Sequence, residues 1–580
     1  MMKYTSLKYQ LLLWFTVCCC CTTTTAESGF LHASGTKIID ANGKEIILKG
    51  IGLGGWMLQE GYMLGTSGTQ HEIRQYFEEM AGVEATDKFY TDWLKYFVAK
   101  EDVELMAKWG YNSIRLPMHY NLFFDKEGNW LNNSKGLEMT DQLLSWCKQN
   151  KQYLILDLHA APGGQGDNKD ISDRYEGESL WINEKARQMT LVMWYQLAKR
   201  YRNEKWIGGY DLINEPNYDF ENTGNKRGCA CIKNEPLKKM YELLIDTIRT
   251  VDKHHLLIIE GNCFGGTYNG LESLGSYDAN KNLAFSFHYY WGPNLQRGIA
   301  GITKLRDSLN IPLWRGEIGE NSNSGFTDMV TLMEKNKIGY ASWPWKKINS
   351  VVGPVNVLSS PEWDKLIAFK NNRQNPQPTR AESQRALLKM VENIQLKNSR
   401  INYDVTYAYR SSPYNKGAQA FAVQHIPGIV YMPDYDLGKY NETWFDTDYQ
   451  NVSGNAAKGA ANKGMRYRND GVDIWKDSST NANGYYVGKI EDGEWLKFSL
   501  NSSSAGTYTL RISVRNVQEK EGLMMLQMDG KPLQQNPFIL PASILWQEVV
   551  YKDIVVPKGK VLTVNFVKGG FDISAIRFVK

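Results

Sequence analysis

The sequence predicts a (β/α)8 TIM barrel, an α/β architecture, followed by an all-β jelly-roll sandwich. Three observations carry that prediction. Eight β-rich runs alternate with longer amphipathic stretches, ionisable residues gather at the C-terminal ends of those runs, and near residue 425 the texture changes to short alternating strands. A chain of 580 residues, 42% of them hydrophobic, has apolar surface for more than one core.

The runs are IILKGIGLGG, YNSIRLPM, QYLILDLH, IGGYDLINEP, HLLIIEGN, LAFSFHYY, PLWRGEIG and IGYASWPW. Most are almost continuously apolar, as strands buried on both faces should be. Stretches such as DKFYTDWLKYFVAKEDVELMAKWG and INEKARQMTLVMWYQLAKRY supply the helices between them. An open doubly wound sheet would instead need a glycine-rich phosphate loop leading into a helix. Gly50, Gly52, Gly54 and Gly55 follow the first run but lead into WMLQEGYMLG, so they read as a close-packed strand and loop.

Active sites of this barrel lie at the C-terminal ends of its strands. Arg115 and His119 close the second strand, His159 the third, Asn214 and Glu215 the fourth, His288 and Tyr290 the sixth, Glu317 the seventh and Trp343 the eighth. Taken singly, each has an ordinary structural explanation, an ion pair or a hydrogen-bonded core histidine. Taken together at one end of one barrel they point to chemistry.

Cleavage of a glycosidic bond needs one carboxylic acid to protonate the leaving oxygen and a second carboxylate to attack the anomeric carbon or activate water. Glu215, in Asn-Glu-Pro, and Glu317, in Trp-Arg-Gly-Glu, face each other from strands four and seven. That arrangement allows the spacing of about 5–5.5 Å associated with retention. Arg115 and Tyr290 are placed to keep Glu317 ionised, which makes it the nucleophile and Glu215 the acid/base. His159, His288 and Asn214 are expected to bind hydroxyls or orient the glutamates, and Trp343 to form a stacking floor. Glu320, Asp157 and Glu260 read as structural acids. A metal-dependent hydrolase is the rival on the same fold, but no H-x-H, H-E-x-x-H or bridging lysine is present, so no catalytic metal or cofactor is expected.

The N-terminus has a charged start, an apolar run from Leu11 to Cys21 and a small-residue end at Ala26, the pattern of an export signal over 1–26. The run is short for a membrane anchor. A lipid-acceptor cysteine among Cys18 to Cys21 is the second reading. Cys147 and Cys263 read as buried small hydrophobes. Cys229 and Cys231 sit in a polar loop as free thiols, with a bridge to another cysteine left open. A net charge of +4 from 67 basic and 63 acidic residues argues against nucleic acid as a partner. The 18 Trp and 33 Tyr suit sugar faces as well as cores.

The barrel resembles glycoside hydrolase family 5, the cellulase family, over residues 30–400. The resemblance rests on Arg115 in SIRLP, His159 in DLHAAPGGQG, Asn214 and Glu215 in NEP, His288 and Tyr290 in HYY, Glu317 in RGE and Trp343 in ASWPW. The DLHAAPGGQ stretch is similar to that of exo-1,3-β-glucanases in the family, which implies a β-glucan substrate. After a linker at 401–424, residues 425–580 offer GEWLKFSLN, GTYTLRISVRN, LMMLQMDG, WQEVVYKDIVVPKG, KVLTVNFVKGG and FDISAIRFVK as half-buried strands of a sandwich. This part resembles carbohydrate-binding module family 6, through DYDLGKYNETWFDTD, MRYRNDGVDI, GEWLKFSL and GGFDISAIRF. The resemblance implies a sugar cleft at Tyr467, Trp546 and Asp572, with Trp495 in the core. Met432 and Pro433 stand before Asp434 where that family usually has Ala-Glu, which removes a ligand of its structural calcium. The expected protein is a secreted or cell-surface monomer whose partner is a polysaccharide. The alternative to an enzyme is a non-catalytic polysaccharide-binding protein.

Overall fold

The computed structural model describes residues 29–290, 294–410, 417–449, 462–464, 466–479, 482–516, 518 and 520–580. The export signal at 1–26 and Cys18 to Cys21 lie outside the described residues. Among the described residues no helix is long and apolar enough to cross a membrane.

Eight parallel strands close into a barrel: β1 (Lys49–Gly52), β2 (Ser113–His119), β3 (Tyr153–Ala160), β4 (Ile207–Asp211), β5 (Leu257–Glu260), β6 (Leu283–His288), β7 (Leu313–Ile318) and β8 (Gly339–Ser342), with β8 pairing back onto β1. They coincide in order with the eight apolar runs. Every residue of β2 and β3 is buried, which explains why those runs show no alternation. The hairpin His32–Ser34 and Lys37–Ile39 closes the opposite end, where Leu31 and Ile38 pack with Tyr153, Leu256 and Trp314.

The first-strand glycines are explained by packing. A Cβ on Gly52 or Gly54 would come within 2.5 Å of the Trp343 indole. The predicted helix over 87–110 is two helices, Val83–Tyr96 and Lys100–Lys108, because the Asp102 carboxylate reaches back to accept the Ala99 N–H and starts a new helix there.

The compact barrel unit extends beyond residue 400. Strand Arg400–Ile401 pairs with Val355–Val357, and helix Tyr403–Arg410 packs on helix Asn323–Lys335, with Tyr409 stacked on Phe326 at 4.5 Å. Residues 401–410 are therefore core of the barrel unit and not linker, a correction to the 401–424 boundary.

The C-terminal region is all β. One sheet runs Ile474–Lys476, Tyr485–Val487, Asp572–Val579, Gly506–Arg515, Gln547–Val556, with Gly428–Tyr431 added on Asp572–Val579. The other runs Trp444–Phe445, Trp495–Ser499, Val561–Lys568, Gly522–Met528, Lys531–Pro532. Alternate residues of strands such as Gly522–Met528 point into one shared core. Trp495 is half-buried, at the surface of that core.

The two regions meet through polar contacts. The Asn323 side-chain amide donates to Asp404 (2.8 Å) and Asp470 (2.6 Å), and the Asn469 N–H donates to Asp404 (2.7 Å).

Candidate active site

Arg115 stands in β2, completely buried, and its guanidinium organises the barrel mouth. Nη1 donates to Glu317 Oε1 at 2.5 Å, Nη2 to Asn214 Oδ1 at 2.8 Å and Nε to Asp211 Oδ2 at 2.9 Å. Asp157 and Glu260 each approach Nη2 to 3.2 Å.

Glu317 lies in β7 opposite His288 of β6. The strands approach this closely because residue 316 is glycine: a Cβ there would meet Ser286 Oγ at 2.5 Å and His288 Nε2 at 2.8 Å. Tyr290 Oη donates to Glu317 Oε2 at 2.6 Å. Burial alone would raise the Glu317 carboxyl, but the charges of His288, Arg115 and His159 and the Tyr290 hydrogen bond outweigh it and hold the group below the usual carboxylate range. Burial, followed by the neighbouring Glu317 charge, pushes the Tyr290 phenol well up, so it stays protonated as a donor.

Glu215 follows β4 with φ +43°, a left-handed backbone that is costly for a non-glycine residue. The following Pro216 also disfavours helical geometry at this position. Three contacts hold it. Its N–H donates to Glu260 Oε2 at 2.8 Å, its carbonyl accepts from Asn217 Nδ2 at 2.8 Å, and its carboxylate meets His288 Nδ1 at 2.7 Å. Burial raises the Glu215 carboxyl to about 7 against the lowering effect of His288, with the Glu317 charge adding to the rise. The two glutamates therefore sit in environments that push their acidities apart.

His159 bonds Asp157 through Nδ1 at 2.8 Å and stacks on Trp343, ring centroids 5.1 Å apart. Burial works against its protonation, but Asp157, Glu60 and Glu317 raise it to about 10. Trp343 donates through Nε1 to Tyr62 Oη at 2.9 Å. With His159 on the ring and the first-strand glycines against it, Trp343 keeps only 3% of its surface open. It contributes more as a support for His159 and Tyr62 than as the broad floor expected from the sequence.

Eight of the nine strand-end residues singled out from the sequence are thus brought into one connected cluster; the ninth, His119, instead bonds Asp173 at 2.9 Å. Sequence reasoning missed Tyr62, Glu60 and the weight carried by Glu260 and Asp157, which it read as structural. The signal for Glu260 was there: an acid closing a barrel strand, as Glu317 does.

Glu215, His288 and Glu317 each offer a ligand atom within 4.8 Å of the others, the one such trio found among the described residues. The donor set fits a metal poorly. Both Glu317 oxygens are already bonded to Arg115 and Tyr290, and an added cation would lie against a guanidinium.

In the sandwich, Trp546 and Asp572 are joined through Arg515, which lies 5.0 Å over the indole and donates to Asp572 Oδ2 at 2.8 Å. Tyr467 is elsewhere. Its ring lies tilted against that of Tyr485, centroids 4.5 Å apart, and under the Arg400 guanidinium at 4.9 Å, and its hydroxyl donates to Asp434 at 2.5 Å. The barrel's Arg400 covers it, so the expected three-residue sugar cleft does not assemble; this corrects the placement of Tyr467. Buried acids gather away from Met432 to Asp434: burial, then Glu494 and Asp473, raise Asp446 to about 8. The cysteine reading is also corrected, since Cys229 is bridged to Cys263, while Cys147 and Cys231 are free and buried.

Paired buried glutamates at the C-terminal mouth of a (β/α)8 barrel, with one acidity raised and one lowered, define an O-glycosyl hydrolase. Residues 71–349 match the Cellulase (glycosyl hydrolase family 5) family and residues 468–577 match Carbohydrate binding module (family 35). The barrel's match is to family 5, as expected from the sequence, and the C-terminal match is to family 35, not the family 6 expected from the sequence. The chain is 27% identical to a Beta-xylosidase of Phanerodontia chrysosporium, over 55% of this chain and 71% of that protein. It is 27% identical to Endoglucanase C of Acetivibrio thermocellus, over 33% of this chain and 50% of that protein. A Probable glucan 1,3-beta-glucosidase A of Aspergillus niger is 23% identical over 43% of this chain and 56% of that protein, so the chain spans about half the length of these last two relatives.

Proposed function

We propose that this protein is an exported retaining β-glycosidase that cleaves a β-glucan, with Glu317 as nucleophile and Glu215 as acid/base. The observation that carries the reading is the split between the two carboxyls, one held ionised by Arg115 and Tyr290, the other raised to about 7. Their closest ligand atoms lie within 4.8 Å, which favours the short spacing of retaining enzymes over the roughly 6.5–9.5 Å of inverting ones.

In the first step a Glu317 oxygen bonds to the anomeric carbon as the glycosidic C–O bond breaks, and the Glu215 proton passes to the leaving oxygen. In the second, Glu215 takes a proton from water as that water's oxygen displaces Glu317, restoring both groups. Asn214, His159 and His288 bind hydroxyls around the cleaved bond. The sandwich holds the same polysaccharide, with Trp546 and Asp572 as its contact residues, and the whole acts outside the cell as a monomer.

A β-glucan is supported by the 1,3-glucanase-like DLHAAPGGQ stretch and by two relatives whose names denote glucan hydrolysis. The β-xylosidase relative keeps a xylan substrate in view. The test is reducing-sugar release from laminarin, lichenan, carboxymethyl cellulose, pustulan, mannan and xylan by wild type, Glu317→Ala and Glu215→Ala. Activity on a β-glucan that both substitutions abolish supports the reading. Activity surviving Glu317→Ala, or release from xylan alone, overturns the site or the substrate.

A further inference from the structure

We propose that a cleft on the β2–β3 side of the barrel mouth is a glycan subsite remote from the cleaved bond, binding a distal glucose of the substrate chain on Tyr175. The inference rests on the β-glucan reading. The cleft holds about 670 Å³ and is walled by Tyr120 and Phe124 after β2 and by Gly163, Ser172 and Tyr175 after β3. That volume lies in the range of small-molecule sites, about 300–1,000 Å³. Gly163 follows His159 by four residues, which limits the Cα-to-Cα separation to about 14 Å. A short oligosaccharide anchored at Glu317 reaches that far.

Three features make it a built surface. Tyr175 is 51% exposed, while His71 backs its ring in a parallel stack at 3.8 Å, so one aromatic face is supported and the residue remains open to a ligand. Such a face suits the apolar side of a pyranose. The Ser172 hydroxyl, in a residue only 1% exposed, has no hydrogen-bond partner, and neither does Arg174 Nε. Both residues line the cleft, so its wall carries two partnerless polar groups that lie just beneath the surface. The remaining guanidinium nitrogens of Arg174 are fixed on Glu178 O and Asp167 O, and its stem lies against Gly164, where a Cβ would meet it at 2.6 Å.

Asp173 preorganises the whole segment. Its carboxylate bonds His119 at the end of β2 (2.9 Å) and both the ring and the N–H of His71 (2.8 Å each). Tyr175 is thereby presented on rigid elements and not on a free loop.

The test measures kcat/KM on β-linked gluco-oligosaccharides of two to seven units for wild type, Tyr175→Ala and Tyr175→Phe, with thermal melts as a check on folding. The proposal expects wild type to gain with chain length. Tyr175→Ala should lose about 10-fold on the longest substrates, the scale of one aromatic platform, and nothing on the shortest, while Tyr175→Phe stays near wild type. A fall in Tyr175→Ala that is equal at all lengths, or no fall at all, overturns the subsite. Turnover without any gain with length overturns the subsite alone; no turnover of any gluco-oligosaccharide by wild type removes the β-glucan reading and this subsite with it.

Discussion

Two fully buried arginines stand at the centre of two polar networks, and the networks are balanced differently. At the barrel mouth, Arg115, His159 and His288 face six buried acids: Glu60, Asp157, Asp211, Glu215, Glu260 and Glu317. At the joint between barrel and sandwich, Arg468 pairs with Asp470 at 2.7 Å and spends its other donors on the carbonyls of Pro433, Tyr435 and Asp436. The mouth has more acids than cations, so some carboxyls must keep a proton. Burial, then Glu260, drives Asp211 well up, while Glu215 rises to about 7 and Glu317 is held low. At the joint, Arg468 hydrogen-bonds one carboxylate, Asp470, and backbone oxygens, while the neighbouring Asp404, raised by burial and then by the Asp470 charge, takes two amide donors on its Oδ2. A buried charge cluster therefore points to chemistry when it leaves acids unmatched and pushes their acidities apart, and to architecture when its donors and acceptors close on each other.

The most damaging way to probe the mouth is to remove a member of the pair. Glu317→Ala and Glu215→Ala should each lower kcat by about 10³-fold or more, the scale expected for loss of a nucleophile or acid/base. The pH profile carries the same information. Glu215 must be protonated to act as acid, so the rate should decline as pH rises through about 7; Glu317 must be ionised, so the acid limb should fall below the ordinary carboxylate range. In Glu215→Gln the alkaline limb should vanish from the residual rate. An alkaline limb unchanged in Glu215→Gln would remove Glu215 as the titrating group.

A smaller effect tests whether the surplus acids matter as positioning groups. Glu260→Gln keeps the shape but weakens the acceptor that holds the strained Glu215 backbone and lies 3.1 Å from His288. Misplacing a catalytic group by a fraction of an ångström is costly, and kcat should fall about 10²-fold with KM little changed. The alkaline limb should also move, since Glu260 contributes to raising Glu215. A fall in stability without either kinetic change would leave Glu260 as a packing residue.

Much of the mouth was readable in the sequence because the physics that buries parallel strands also marks their ends. A run such as QYLILDLH is apolar until its last residues, and the polar group that interrupts it is the one that faces the cleft. The unread parts depend on tertiary placement. Nothing local pairs Cys229 with Cys263 across a separation of 34 residues. Tyr467 matched a sugar-binding position, but Arg400 from the barrel lies over it. Helix Tyr403–Arg410 did have a signal: Val405, Ala408 and Tyr409 recur at helical spacing in a stretch read as linker.

The smallest expected effect falls on the joint. Asp404 accepts the Asn469 N–H at 2.7 Å and Asn323 Nδ2 at 2.8 Å, and all three residues are buried. Asp404→Ala removes both acceptor bonds. Asn323 retains its bond to Asp470, so the main loss is the Asn469 N–H, a buried donor left without its partner at a cost of about 1–3 kcal/mol. Thermal or urea unfolding should show that loss, whereas kcat on a short soluble substrate should stay within about twofold of wild type, because no bond of Asp404 leads to Arg115 or the two glutamates. Rates that fall as steeply as in Glu260→Gln would mean the joint and the mouth are one coupled network, and the contrast between a cluster built for chemistry and one built for docking would fail.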